Sequence, residues 1–461
     1  MSTAIIELND SGIICHSPGS TETPPASPGY ALLQNQAVVT GQQALQQAWL
    51  QPQQSFNQYW HQLSLSPLSV SNQHARHHAD LAYAQLQQLY SDTGQAQQMI
   101  FAMPSNTSAE QLGILLGLVK ASPFTAAGLV DAAVAAASQT GLQGVLLHAD
   151  IQLHTTVLCQ LSSAAWVQRE SSQQYPDIAL KAIHDTWAQF IADRFIREYR
   201  YDPLHTAAGE QQLHDRLPDW IARLNLATEI ETELSAPQGD FRLRIQRSEF
   251  IAANQKRWQR LVEALANTPY DSLLLSHRLA SLPGVLDSLE AAGHSNIVTL
   301  AADATIAACL AQGDNIATAG DNKAVDRPLC FITTLPALAP KHSQPTSPSA
   351  ALNLRQHSKP LTQGAIKSPI RAATHLLDGH RAYALAPGLV LLSDGRVCNK
   401  AQSPEHLPAQ PLAEITVEAG HVILKAVNKP SLLHCEGDWH NLHSGDVIVI
   451  ASQTFTLIDV A

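Results

Sequence analysis

The 461-residue chain lacks several things, and each lack excludes something. No run of about 18 or more apolar residues occurs, so no membrane-spanning helix is expected. No basic stretch precedes an apolar one at Met1-Ser2-Thr3-Ala4, so no secretion signal is expected. The six cysteines, Cys15, Cys159, Cys309, Cys330, Cys398 and Cys435, are scattered, with no Cys-x-x-Cys pair. That pattern argues against zinc or a disulfide framework and fits a cytoplasmic protein with buried free thiols. Lysine is scarce and the formal net charge is -11, which argues against nucleic acid as the main partner. Among 21 histidines no complete ligand set stands out. His74, His77 and His78 are expected to open a helix and share one face, which is metal-ligand spacing, but a solvent-facing polar face uses that spacing far more often. No metal site is therefore expected.

What is present is an alternation of apolar strands, turns and helices. The length calls for more than one domain, since single cores stop growing at roughly 250–300 residues. Gly144 to Leu161 reads as a hairpin: Val145 to Leu147 leads into a polar turn, and Val157 to Leu161 leaves it. The turn holds Asp150, Thr155 and Thr156, a carboxylate with two hydroxyls, which suits either an ordinary polar tip or a magnesium-bound phosphate. Ala4 to Ser17 reads as another hairpin about Asn9-Asp10-Ser11-Gly12. A third hairpin follows at residues 30–39, then a helix from Gln42 with a packed aromatic loop. Strands at Gln98 to Met103 and Ser272 to Leu275, and helices at 74–90, 109–120, 131–137, 176–200 and 207–226, follow from periodicity and caps. Two strands, 229–234 and 241–245, precede a helix for which Ser248 is the expected cap. Residues 336–370 are rich in Pro, Ser, Gln and Thr and read as a linker. Short strands with turn signals then take over, as in an all-β sandwich.

Asp150-Ile151-Gln152-Leu153-His154-Thr155-Thr156 resembles the second phosphate loop of the actin and heat-shock-chaperone ATPase superfamily. Its pattern is Asp, apolar, Gly, two variable residues, Thr, then Thr or Ser. Glu7-Leu8-Asn9-Asp10-Ser11 sits where that superfamily has its first phosphate loop, which reads Asp, apolar, Gly, Thr, Thr. Ser276-His277 stands where the chaperones have the Gly-Gly against which adenosine stacks. The alanine-rich helix at Asp131 to Ala137 matches one whose acid helps order the catalytic water. The resemblance implies a two-lobed, ribonuclease-H-like α/β domain over 1–333. Its nucleotide contacts, if retained, would be Glu7, Asn9, Asp10, Ser11, Asp131, Asp150, Thr155, Thr156, Ser276 and His277. All three glycine sites are altered, and glycine serves where backbone must approach a ligand closely. The expectation is a fold kept without catalysis: no catalytic residues, no required cofactor, and at most weak ATPase activity with ATP and magnesium.

Residues 371–461 resemble a forkhead-associated domain through Leu442-His443-Ser444-Gly445-Asp446-Val447-Ile448 and Gly395-Arg396. In that family the arginine binds phosphate, which would make Arg396 the phosphopeptide residue. The accompanying Ser-x-x-His survives only as the loose echo Ser403-Pro404-Glu405-His406. The expected organisation is thus an actin-like domain at 1–333, a linker at 334–370 and a small β-sandwich at 371–461. The sandwich would carry the protein partner. Two functions follow as expectations, a non-catalytic scaffold or adaptor, and a slow ATP-binding switch. Limited proteolysis is expected to cut first between Pro336 and Ile370, as exposed linkers are preferred nicking sites. Electrophoresis with terminal sequencing checks this, and an uncut linker beside a degraded C-terminal region would show the boundary to be wrong.

Overall fold

The structure is a computed structural model that describes residues 3–20, 25–236, 238–318 and 329–339, together with the strands of a C-terminal region between 375 and 458. The chain divides into two units, Met1–Ser347 and Pro348–Ala461. The first unit opens with β1 (Thr3–Glu7) and β2 (Ile14–His16), then β3 (Ala31–Leu33), β4 (Val38–Thr40), α1 (Gln42–Leu45) and β5 (Ser55–Phe56). It continues through α2 (His78–Asp92), β6 (Gln98–Met103), α3 (Ala109–Lys120), β7 (Thr125–Asp131) and α4 (Ala132–Ser138). A meander of β8 (Gly144–Ile151), β9 (Thr156–Ser163) and β10 (Trp166–Tyr175) starts its second half. There follow α5 (Leu180–Tyr199), α6 (Ala207–Leu226), β11 (Glu229–Ala236), β12 (Gly239–Gln246), α7 (Arg247–Ala253) and α8 (Gln255–Ala266). The last elements are β13 (Ser272–Leu275), α9 (His277–Ala280), α10 (Val285–Ala291), β14 (Ile297–Thr299), α11 (Ala304–Ala311), α12 (Gly313–Thr318), β15 (Phe331–Ile332) and β16 (Thr334–Pro336).

Each half is built on one mixed sheet. The first has the order β15-β7-β6-β1-β2, with β2 antiparallel to β1 and the other neighbours parallel. The second has the order β14-β13-β8-β9-β10-β16, with β8, β13 and β14 parallel and the rest antiparallel. Strands flanked by helices on such sheets are apolar on both faces, as Ile5, Ile6, Phe101, Leu147 and Leu274 show by their burial. One core lies between the halves, where α4 and α11 pack beside Ile100, Val130, Leu161 and Leu274. Another fills the second half around Trp187, which stacks on Phe250 at 4.4 Å and donates its indole N–H to the Phe250 carbonyl at 2.7 Å. Gly284 at φ +99 closes this core, and a Cβ there would lie 2.6 Å from Trp258 Nε1.

The C-terminal region holds two antiparallel sheets. One has the order β18-β17-β25-β24-β23, from β17 (His375–Asp378), β18 (Arg381–Ala384), β23 (Leu433–Glu436), β24 (Val447–Ile450) and β25 (Gln453–Ile458). The other has the order β20-β19-β21-β22, from β19 (Leu389–Leu392), β20 (Val397–Asn399), β21 (Pro411–Glu418) and β22 (His421–Ala426). Leu376, Ile415, Ile448 and Phe455 are fully buried, one strand face of each contributing. Arg396, Gly395, Ser403, His406 and the 442–446 turn lie outside the described residues. Among the described residues no helix is long and apolar enough to cross a membrane.

Several expectations need correction. Residues 334–336 are not linker: Thr334–Pro336 is a sheet strand against Trp166 to Gln168, and Leu338 N–H donates to the Ser138 carbonyl. His74 and His77 precede α2 rather than sharing its face; His77 is its N-cap, paired with Asp80. No group of three or more His, Cys, Asp or Glu could hold a metal among the described residues. Gln246, not Ser248, caps α7, with Glu249 completing a capping box. Strand β10 was not expected, because most of its side chains are polar and exposed and leave no apolar alternation to read. Replacing Trp187 by alanine removes one of the three tryptophans of its core, and about 3–5 kcal/mol of stability should go with it. Urea unfolding measures the loss; a loss below about 1 kcal/mol would contradict the packing described.

Candidate functional site

The carboxyl ends of the parallel strands converge on one place, where open α/β sheets carry their sites. Glu7 ends β1, Asp131 ends β7, Asp150 stands one residue before the end of β8, and Ser276 follows β13. Two turns meet there. The 9–12 turn is built by Asn9, whose Oδ1 accepts from the Ser11 N–H at 2.9 Å and hydroxyl at 2.7 Å. The Asn9 Nδ2 donates across the gap to Asp150 Oδ2 at 2.8 Å and to the Ile151 carbonyl at 3.1 Å. Asp10 Oδ1 accepts the Leu153 N–H at 2.7 Å. Gly29 permits this docking: its N–H donates to the Asp10 carbonyl at 2.8 Å, and a Cβ on it would sit 2.8 Å from the same oxygen.

The second turn is equally occupied. Gln152 and Asn106 exchange two amide hydrogen bonds, at 2.9 and 3.2 Å. The Thr155 and Thr156 hydroxyls are fully buried and donate to the carbonyls of Thr156 and Ile178. Ser276 caps α9 by accepting the Leu279 N–H at 3.2 Å, and His277 is exposed beside it. The residue that closes the site is Arg278, which sequence reasoning missed. It donates Nη1 to Glu7 Oε1 at 2.8 Å and Nη2 to the Gly12 carbonyl at 3.2 Å. Its position directly after Ser276-His277 was the available signal, an arginine on the first turn of a short helix that follows a strand of the site.

Asp131 is committed in the same way. Its Oδ1 caps α4 through the Ala133 and Val134 N–H groups and accepts from Ser105 Oγ at 2.8 Å. Its Oδ2 takes Arg169 Nη1 at 2.8 Å. Arg169, from the unexpected β10, also lies over the Phe331 ring at 5.3 Å. The structure thus brings Glu7, Asn9, Asp10, Ser11, Asp150 and Ser276 together. It turns the hydroxyls of Thr155 and Thr156 away into backbone contacts, leaves His277 at the rim, and ties Asp131 to Arg169.

The electrostatics follow from burial. Desolvation pushes Asp10 up to about 7, against the Leu153 N–H, with Asp150 adding to the rise. Burial opposes the charge on Arg278, yet Glu7 and Asp150 hold its pKa above the ordinary arginine value. Burial lowers His148, which is neutral beneath Asp150. Three carboxylate oxygens, Glu7 Oε2, Asp10 Oδ2 and Asp150 Oδ1, are buried without a hydrogen-bond partner among the described residues. Glu7, Asp150 and Arg278 line a cavity of about 20 Å³. That is room for about one water, whereas small-molecule pockets run to roughly 300–1,000 Å³.

The groups that would meet a magnesium-bound nucleotide already have protein partners. An arginine sits on Glu7, the Leu153 amide holds an Asp10 carboxylate, and the Gln152 side chain fills its turn. Comparison of the chain with protein-family models and with curated proteins finds no match.

Asp10 gives this site a pH signature. Its folded value of about 7 lies above the ordinary 3.8, so the folded state binds the proton more tightly. Its contribution to stability is whole below about 3.8 and is lost as pH rises through about 7. Unfolding free energies from pH 4 to 8 should fall for the native protein relative to Asp10→Asn, by at most about 1.4 kcal/mol per pH unit. Parallel profiles for the two proteins would refute this.

Proposed function

We propose that the first unit is an actin-like, chaperone-ATPase-like fold that serves as a pseudoenzyme, and that the protein is a cytoplasmic scaffold or adaptor. Its partner is a protein, taken by the loops of the C-terminal β region, 371–461, rather than nucleic acid. Several observations support the fold reading. Two mixed sheets each pair a hairpin or meander with parallel strands, and the acids named by the resemblance gather at their carboxyl ends. Cys15, Cys159 and Cys309 are free and buried, which suits the compartment. The C-terminal strands are all antiparallel, and sandwiches of that kind present binding loops on a rigid support.

The observation that carries the pseudoenzyme reading is the Arg278–Glu7 ion pair at 2.8 Å. A guanidinium there meets the carboxylate that would face a hydrated metal, and the docked turns satisfy one another where phosphate oxygens would have to enter. A second reading, a slow ATP-binding switch, is favoured by the partnerless oxygens Glu7 Oε2 and Asp150 Oδ1. On that reading Asp150, Thr155, Thr156, Glu7 and Asp131 hold magnesium-ATP, and movement of the two halves is relayed to the β region.

Calorimetric titration of the full chain with ATP and magnesium separates the two. The pseudoenzyme reading expects no magnesium-dependent heat of binding and no ATP turnover above background. Saturable binding that depends on magnesium and is lost in Asp150→Ala establishes the switch instead, and turnover abolished by the same substitution overturns the pseudoenzyme.

A further inference from the structure

Away from the carboxylates, a cavity of about 250 Å³ opens between the two turn tips, α1 and the helices α5 and α6. Its walls are mainly apolar: Tyr30, Leu45, Trp49, Leu153, Leu180 and Pro218. Trp49 is fixed from three sides. Its ring stacks on the His214 imidazole at 3.8 Å and 11°, its backbone N–H donates to Gln211 Oε1 at 3.0 Å, and Gln211 Nε2 donates to the Leu45 carbonyl at 3.0 Å. Tyr30 is buried, its ring 6.2 Å from Trp49. A wall held this firmly keeps its shape when nothing presses on it.

The polar groups of the cavity carry no net charge. Lys181 and Asp185 are paired at 2.7 Å. His184 and His214 are neutral, because burial pushes their values down to about 4 and about 3. A neutral imidazole offers one N–H donor and one acceptor nitrogen. Both rings line the cavity, and among the described residues neither ring has a hydrogen-bond partner. Polar groups that open on an apolar cavity are the groups that orient a ligand.

We propose that this cavity is a binding site for a small uncharged aromatic molecule, one or two fused rings with a hydrogen-bonding edge turned to His184 and His214. The chemistry narrows the class. An anion or cation would lose its hydration and find only a lysine and an aspartate that already neutralise each other. Tyr30 and Trp49, their rings inclined 35° to one another, and Leu180 and Pro218 all offer apolar surface to a ring, and the volume of about 250 Å³ admits a fused double ring. Ser11 and Leu153, which come from the two docked turns, form the floor, so the ligand touches both halves of the unit and braces their contact. The proposal holds whether or not the carboxylate site takes nucleotide.

The test uses the full chain with indole as the probe and indole-3-acetate as its anionic counterpart. Calorimetry should show saturable, one-to-one binding of indole, with the anion weaker by about tenfold or more. Histidine-ring NMR signals, assigned to His184 and His214 through His184→Phe and His214→Phe, should shift on indole addition. Leu45→Trp fills the cavity and should abolish binding, while His184→Phe should keep the fold and weaken binding about fivefold. If Leu45→Trp does not fold, the NMR shifts decide alone. No saturable heat at the solubility limit of indole, or binding that leaves both imidazole signals unmoved, overturns the proposal.

Discussion

The ion pair between Arg278 and Glu7 is the constraint around which the first unit closes. Glu7 is one of three carboxylates, with Asp10 and Asp150, brought together within the reach of one guanidinium. Like charges at such separation in a low-dielectric setting repel strongly, so without a cation at least one would have to take up a proton. Arg278 supplies the cation from within the chain, and Asp10, raised chiefly by burial and further by Asp150, takes up a proton more readily than a free carboxyl. A buried pair of this kind adds little stability over apolar packing. Breaking it by removing one partner is costly, because the other charge stays buried. The pair therefore specifies an arrangement more than it strengthens one: β1 and α9, far apart in sequence, have one relative position in which both charges are met.

The same logic repeats across the junction with different chemistry. Asp131 of the first half meets Arg169 of the second through Oδ2, while its Oδ1 caps α4. Elsewhere the halves are joined by neutral amides, Asn9 to Asp150 and Ile151, Asn106 to Gln152, and Gln211 to Leu45 and Trp49. Neutral amide contacts cost less to desolvate than charges, and each still carries a penalty when misaligned, since an orphaned group keeps its desolvation cost. A junction made of them resists sliding. It also accounts for the persistence of a hydrogen-bond-poor cavity beside it, where Trp49 and His214 stack rather than bond.

Much of the fold was legible because the chain signals it locally. Gln98–Met103, Ala109–Lys120, Ala207–Leu226 and Ser272–Leu275 begin and end where apolar runs, caps and the proline after Met103 place them. The hairpin about 150–156 was legible from two apolar runs and a polar turn. What was not legible is what depends on distant partners. Trp166–Tyr175 is polar on its exposed face, and it is a strand because β9 offers a full edge to pair with, which no local pattern records. Thr334–Pro336 looked like the start of a linker for the same reason. At the site, the carboxylates could be named from the sequence, but the arginines that meet them could not. Arg278 and Glu7 are joined only by the fold, and Arg169 reaches Asp131 from the strand that was missed.

On the proposed reading, the positions at which the resembled loops carry glycine are best understood through this junction. Neither Asn9 nor Gln152 takes a positive φ, so this backbone does not ask for glycine at either place. Each has instead become a hydrogen-bonding member of the contact: Asn9 holds its own turn and the opposite strand, Gln152 holds Asn106, and Ser276 caps the helix that presents Arg278. A side chain that merely intruded would sit in strain or remain unpaired; these are satisfied and, at positions 9, 152 and 276, buried. On the proposed reading, restoring glycine at any one of them would not recreate a phosphate loop. It would remove hydrogen bonds from the junction while Arg278 still covered Glu7. On the same reading these side chains and the arginine act together at one junction, and their hydrogen bonds, rather than any single residue, are the physical ground for regarding the site as structural.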